Sequence, residues 1–151
     1  MDSQALFDRL NRWMARLRRE QPHSFGCNLP CELVSADWEK KETVLRFHTI
    51  PEMSNPRGVT HGGMLAVMVD WAMGSTARAA LDYNQTPTID MQIQYLKPVP
   101  LNTDIFIRAK IRRAGKVVVF LTAEVWTEDE NDLLTMASGV YRLHEPGLIL
   151  D

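Results

Sequence analysis

The sequence predicts an α+β fold in which a sheet of five to six antiparallel strands packs around one long apolar helix, with a second, amphipathic helix at the N-terminus. Two observations support this prediction. The segment from Gly62 to Ala77 is apolar on nearly every side, which is typical of a helix buried all round. From Thr88 onward the chain consists of strand-like runs separated by short turns, and short turns favour antiparallel neighbours.

The composition is that of an ordinary soluble domain, with 151 residues, 45% hydrophobic residues, 24% charged residues and a net charge of −2. No linker or repeat interrupts the chain, so residues 1–151 are predicted to form a single domain. The weak negative charge gives no reason to expect nucleic acid as a partner, and no apolar run is long enough to span a bilayer. The N-terminus lacks the apolar core of a signal peptide, so a cytoplasmic location is expected.

The first half of the chain predicts a helix and a β-hairpin. From Ser3 to Glu20 apolar residues recur at three- and four-residue steps with arginines on the other side, and Ser3 is the expected N-cap. A basic amphipathic helix can bind membranes, but packing on the domain surface is favoured because the helix is short and the chain acidic. The runs Glu32 to Trp38 and Thr43 to Thr49 form the predicted hairpin, and a loop follows from Ile50 to Thr60.

The second half is predicted to consist of strands. From Thr88 to Leu96 polar and apolar residues alternate with the period of a half-buried strand. Further strands are predicted over Ile105 to Arg113, Val117 to Thr127 and Leu133 to His144. An open sheet of this size leaves unpaired edges, which invite pairing with a second subunit, so self-association is expected.

Neither a metal nor a cofactor is expected from the sequence. Cys27 and Cys31 are the only cysteines, and their spacing with no second ligand pair nearby does not match a zinc site. Two reduced thiols are the expected state. No nucleotide-binding glycine loop and no cluster of metal ligands is recognisable.

The segment from Asn55 to Gly63 runs into the apolar helix and ends in His61-Gly62-Gly63. Two glycines at a helix start weaken the helix by about 1 kcal/mol each but leave its first backbone N–H groups accessible. These donors and the positive end of the helix dipole favour a negatively charged oxygen, such as the oxyanion that forms when water attacks a thioester carbonyl. Alone, the motif is more typical of a plain loop-to-helix turn with glycines for packing.

Asp70 is the only ionisable side chain over sixteen residues of apolar or small helix. A carboxylate among such neighbours costs several kcal/mol unless it is paired, hydrated or functional. Burial would move its pKa toward the range useful for a general base. The structural alternative is a water-filled gap or a pair with Arg78, which lies two turns further along and is too distant for an easy pair. The functional interpretation is favoured.

These residues resemble those of a known family. Asn55, His61-Gly62-Gly63 and Asp70 stand at the spacing found in hotdog-fold acyl-CoA thioesterases of the phenylacetate-pathway (PaaI-like) type, of the 4HBT superfamily. The segment Thr88 to Pro98 and the turn at Gly115 also resemble that family, and the likeness covers roughly Cys31 to Leu143. It implies a hotdog fold and hydrolysis of aryl- or medium-chain acyl-CoA.

The resemblance further implies a site shared between two subunits. Asn55, His61 and the Gly62 N–H would hold the thioester carbonyl from one subunit. Asp70 of the neighbouring subunit would act as base for water or as direct nucleophile. Thr88 stands where related enzymes carry a hydroxyl residue that helps position the attacking water, and it fits an ordinary first residue of a strand equally well. His61 is expected to orient the loop rather than to transfer protons.

Coenzyme A carries phosphates, so a basic patch is required in the substrate site. The best candidates are Arg112, Arg113 and Lys116, which cluster at one turn. Arg57 and Lys97 are the next candidates. The expected substrate-binding residues are Arg112, Arg113, Lys116, Arg57, Lys97 and Gly63. Met64, Met68, Trp71 and Met73 could line an acyl pocket, but filling the core is the favoured role.

Two other functions compete with hydrolysis. One is a non-catalytic module that binds acyl-CoA, against which Asp70 argues because such a module needs no acid in the helix. The other is a hotdog hydratase or dehydratase, whose motifs place the histidine beside proline or phenylalanine, unlike His61-Gly62-Gly63. A homodimer or a dimer of dimers is the expected assembly.

Overall fold

The computed structural model describes residues 1–148, and within them the predicted α+β architecture is confirmed. The single domain predicted over residues 1–151 includes three residues, 149–151, that lie outside the described part. The two α-helices are α1 (Ser3–Glu20) and α2 (Gly62–Leu81). The strands are β1 (Cys31–Asp37), β2 (Glu42–His48), β3 (Tyr83–Gln85), β4 (Thr88–Tyr95), β5 (Asp104–Ala114), β6 (Val118–Trp126), β7 (Thr135–Arg142) and β8 (His144–Pro146).

Six of these strands form one antiparallel sheet in the order β1-β2-β5-β6-β7-β4. The predicted hairpin of β1 and β2 is confirmed, as is the antiparallel run of the later strands. β4 follows α2 in sequence but lies at the sheet edge beside the last long strand, β7. The short strands β3 and β8 form a separate two-stranded ribbon that the sequence did not predict.

One face of the sheet packs against α2 and forms the core. Inward-facing residues alternate along the strands, and Leu45, Phe47, Ile105 and Ile107 are fully buried. Burying side chains of this size stabilises the fold by about 1.5–3 kcal/mol each. Helix α2 contacts strands β2, β4, β5, β6 and β7, so its position is fixed by most of the sheet.

The prediction that α2 is buried all round is wrong for one face. The sheet covers one side of the helix, and its opposite side carries a stripe of only partly buried residues. Most residues of this stripe are small, and small residues occur both in cores and on partly exposed helix faces. The sequence alone therefore did not distinguish this face of α2 from the buried one. Members of the stripe are Ala66, Val67, Asp70, Gly74 and Arg78.

Helix α1 packs on the domain through its apolar face, as its periodicity predicts, with Leu6 and Leu10 fully buried. The predicted N-cap is wrong, because the Asp2 side chain accepts from the Ala5 N–H at 2.8 Å and fills that role. Ser3 is instead the first helical residue, and its Oγ accepts from the Trp38 N–H. Within residues 1–148, no helix combines the length and the hydropathy that crossing a membrane requires.

Candidate active site

The first turn of α2 leaves a single backbone donor available. The His61 Nδ1 accepts from the Gly63 N–H at 2.9 Å and so caps the helix. The N–H groups of Met64 and Leu65 both donate to the His61 carbonyl oxygen, at 2.9 and 3.2 Å. Of the first four donors, only the Gly62 N–H has no partner among the described residues. An oxyanion at this helix start would therefore meet one free N–H together with the positive end of the helix dipole.

Tyr95, at the end of β4, holds the peptide that follows this donor. Its hydroxyl donates to the Gly62 carbonyl oxygen at 2.7 Å, and its ring lies 3.1 Å from where a Cβ on Gly62 would stand. The peptide between Gly62 and Gly63 is thus bound at both ends, by Tyr95 at its oxygen and by His61 at its N–H. Burial raises the pKa of the Tyr95 phenol, which keeps it a neutral donor. Tyr95 was not among the site residues predicted from the sequence.

A groove of about 320 Å³ opens beside Gly62. Asn55 shapes one wall, because its Oδ1 accepts from the backbone N–H groups of Arg57 and Val59 at 2.9 and 3.4 Å. The Asn55 Nδ2 makes no hydrogen bond with a described residue, so it remains available as a second donor. Lys97 lines the same groove and ion-pairs with Asp132. The structure thus brings together four of the predicted site residues, Asn55, Arg57, Gly62 and Lys97.

Asp70 lies on the partly buried stripe of α2 and is held by two hydroxyl groups. Its Oδ1 accepts from the Thr88 Oγ at 2.7 Å and from the Tyr141 hydroxyl at 2.9 Å. Its Oδ2 accepts from no described residue. Burial, and then the neighbouring Asp70 carboxylate, raise the pKa of Tyr141, so this phenol stays protonated and donates. The carboxylate is therefore oriented through one oxygen while the other is left for a ligand or water.

Tyr141 reaches Asp70 through a gap that two glycines leave open. A Cβ at Gly139 would stand 2.8 Å from Tyr141 Cε2, and one at Gly74 would stand 3.4 Å from its Cε1. Tyr141 was not among the site residues predicted from the sequence either. Gly139 was the available signal, because a glycine inside a strand often marks close approach by another group.

The two halves of the predicted site are far apart within one chain. Gly62 and Asp70 lie eight residues apart on one helix, a separation of about 12 Å at 1.5 Å per residue. One carbonyl group cannot contact both at this distance. Arg78 does not pair with Asp70 and lies over the Trp13 ring, 4.4 Å from its centroid, where burial lowers its pKa to about 10.

The basic cluster at the β5–β6 turn lies at the other end of the sheet from Gly62. Val118 pairs with Arg142, whereas Tyr95, beside Gly62, pairs with Thr135 at the opposite end of β7. Arg112 donates to the Thr122 Oγ on the outer sheet face. Within one chain, Arg112, Arg113 and Lys116 therefore do not join Arg57 and Lys97.

The two cysteines do not take part in this site. Cys27 is buried and Cys31 partly buried, and both are free thiols. Burial raises the pKa of the Cys31 thiol to about 12, so it does not supply the thiolate that nucleophilic catalysis needs.

The comparisons with known proteins decide the family. A family model described as the thioesterase superfamily (4HBT) matches residues 57–134, which is more than half of the chain and includes Gly62 and Asp70. The chain belongs to the thioesterase superfamily. The resemblance found in the sequence is confirmed at this level.

Two named thioesterases show how similar this chain is to other members of the superfamily. Acyl-coenzyme A thioesterase THEM4 of Bos taurus is 30% identical over 108 residues, which cover 72% of this chain and 44% of that protein. Acyl-coenzyme A thioesterase 13 of Homo sapiens is 31% identical over 97 residues, which cover 62% of this chain and 65% of that protein. The chain therefore spans less than half of the length of the first relative and about two thirds of the second.

A solved structure confirms the hotdog fold. The Escherichia coli PaaI protein from the phenylacetic acid degradation operon superposes with a TM-score of 0.73, covering 93% of this chain and 99% of that one. The identity is 16%, so the likeness concerns the fold alone. The arrangement of a long helix against an antiparallel sheet is thus the architecture of this superfamily member.

Proposed function

We propose that this protein hydrolyses acyl-CoA thioesters to a carboxylic acid and free coenzyme A, at a site completed by two subunits. One observation carries the proposal: the two halves of the site, Asp70 and Gly62, are hydrogen-bonded to opposite ends of the edge strand β4. Thr88, at its start, donates to Asp70, and Tyr95, at its end, donates to Gly62. Pairing two β4 strands antiparallel about a two-fold axis would set each start against the other's end. Asp70 of the partner subunit would then face Gly62.

The edge strand itself supports this pairing. Among the described residues, no strand pairs with one side of β4, and Ile89, Tyr95 and Leu96 are 57%, 50% and 51% exposed. An exposed apolar edge with unpaired backbone groups is a template for a second strand. A homodimer is the smallest assembly that provides this contact, and a dimer of dimers would contain the same pair.

The chemistry follows from the groups that would meet. The thioester oxygen would accept from the Gly62 N–H and the Asn55 Nδ2, which stabilise the negative charge as the carbonyl is attacked. Asp70 of the partner subunit would take a proton through its free oxygen from a water that attacks the carbonyl carbon, or would itself attack that carbon and form a mixed anhydride that water then hydrolyses to the acid. The C–S bond then breaks and the thiolate leaves as free coenzyme A after protonation. Thr88 and Tyr141 position the carboxylate for either route.

Cations on both sides of the proposed interface would bind the coenzyme A phosphates. Arg57 and Lys97 line the groove beside Gly62. The two-fold pairing would also bring the β5–β6 turn of the partner subunit to this end of the sheet, because that turn lies at the Thr88 end of its own sheet. Arg112, Arg113 and Lys116 would then extend the basic surface.

Three sequence-based expectations remain part of the proposal. Hydrolysis by water and a carboxylate needs neither metal nor cofactor, since coenzyme A is part of the substrate. Nucleic acid is not an expected partner. A cytoplasmic location is retained as a prediction.

Thiol release from purified protein tests the proposal. With a panel of aliphatic and aryl acyl-CoA esters at neutral pH, we expect free coenzyme A to accumulate with multiple turnovers, measured with a thiol-reactive chromophore. The Asp70→Asn protein is the matched blank. Tight binding of acyl-CoA without any turnover would instead establish a non-catalytic acyl-CoA-binding module.

A further inference from the structure

Resting on the proposed function, we infer that the acyl chain binds in an apolar pocket next to the first turn of α2, and that flexible aliphatic chains of medium length are preferred over aryl groups. The pocket has a volume of about 400 Å³, within the range of small-molecule sites. Its apolar lining residues are Phe25, Leu29, Pro30, Ile50, Met53 and Met64.

The lining favours an alkyl chain. Met53 and Met64 supply thioether side chains, which adapt to a flexible ligand. Phe25 and His23 supply the aromatic rings among the described lining residues, and both are exposed, Phe25 to 60%, so neither is held in place to sandwich an aryl group. Leu29 and Pro30 come, like Phe25, from the segment between α1 and β1, which gives the N-terminal part of this chain a role in the substrate site.

Backbone contacts join the pocket to the oxyanion donor. The Met53 carbonyl oxygen accepts from the His61 N–H at 2.7 Å, so the pocket wall is bound to the residue that caps α2. Met64 lies in the first turn of the same helix, two residues after Gly62. A thioester carbonyl bound to the Gly62 N–H would therefore lie between this pocket and the groove beside Gly62.

The charges of the groove beside Gly62 and of the apolar pocket indicate which end of the substrate each would bind. The groove beside Gly62 contains Arg57 and Lys97, which attract phosphates, whereas the described residues of the pocket include the acid Glu52 and His23 but no lysine or arginine. A phosphate in the pocket would be repelled by Glu52, while a neutral alkyl chain would not. The coenzyme A moiety therefore belongs in the groove and the acyl chain in the pocket.

The experiment measures kcat/KM against chain length, from acetyl-CoA through butyryl-, hexanoyl- and octanoyl- to decanoyl-CoA. Because each methylene moved from water into an apolar site is worth a factor of about four, kcat/KM should rise about fourfold per methylene until the pocket is filled. Octanoyl-CoA should also exceed benzoyl- and phenylacetyl-CoA.

Two pocket variants and two matched controls locate the effect. Met64→Gln and Phe25→Ser should each lower the octanoyl-to-acetyl ratio of kcat/KM, about tenfold for Met64→Gln because it places a polar amide against the chain. Met136→Gln and Phe120→Ser make the same replacements at residues that are exposed on strands β7 and β6, and should leave the ratio unchanged. Circular dichroism checks the fold of each protein.

The outcomes separate this inference from the proposed function. Active protein whose octanoyl-to-acetyl ratio is the same in wild type, Met64→Gln and Phe25→Ser would overturn the pocket and leave the hydrolase standing. A wild type that prefers aryl esters, or shows no rise with chain length, would also overturn the inference, even if a variant failed to fold. Absence of turnover with every ester would overturn both.

Discussion

The Asp70→Asn protein should hydrolyse acyl-CoA at least about a hundredfold more slowly than the wild type, in the range expected for loss of a general base or nucleophile. Asparagine keeps the size of the side chain, and its Oδ1 can still accept from Thr88 and Tyr141, which hold the carboxylate now. What is lost is the ability to take a proton or to attack. The change should therefore appear in kcat, measured by thiol release under saturating substrate.

Asp8→Asn is the matched control, because it removes the same charge from an exposed residue of α1 whose carboxylate accepts from Gln4 of the same helix. Its kcat should equal that of the wild type. Both variants should keep the wild-type circular dichroism spectrum. If Asp70→Asn retained more than a tenth of the wild-type kcat, Asp70 would not be the catalytic carboxylate.

Gly62→Pro should lower kcat by about a further hundredfold relative to Gly62→Ala, the effect of losing one oxyanion donor. Proline removes the Gly62 N–H, which among the first four donors of α2 is the one without a partner in the described residues, whereas alanine keeps it. Both introduce a Cβ that would stand 3.1 Å from the Tyr95 ring, so this crowding cancels in the comparison.

The backbone at this position accepts proline. Gly62 is the first residue of α2, where proline is favoured, and His61 before it has φ −62° and ψ 134°, in the region that a following proline requires. The two proteins should therefore show similar melting temperatures. Equal kcat values for Gly62→Pro and Gly62→Ala would contradict the assignment of the Gly62 N–H as oxyanion donor.

The elements that depend on local pattern were predictable. Helix α1 spans Ser3–Glu20 as predicted, and the strands of the main sheet lie within two residues of their predicted bounds. Features set by tertiary contacts were not. The α1 cap differs because Ser3 contacts Trp38, and α2 continues past the predicted Ala77 to Leu81 before Asp82 ends it with a φ of 61°.

The same distinction applies to the site. His61-Gly62-Gly63 and Asp70 were found because a helix start and a lone acid in an apolar helix are visible in sequence. Tyr95 and Tyr141 were not, because they act on residues 33 and 71 positions away. A tyrosine in a strand carries no sign of the distant group that it contacts.

The central claim, a site built from two subunits, is tested most directly by co-expressing Asp70→Asn with Gly62→Pro. A mixed dimer would contain one intact site, with Gly62 from one subunit and Asp70 from the other, and one site with both defects. Random mixing should therefore restore about a quarter of the wild-type kcat per subunit. The doubly substituted protein co-expressed with Asp70→Asn should restore none. Activity in the first mixture no higher than that of the two separate variants would contradict the shared site.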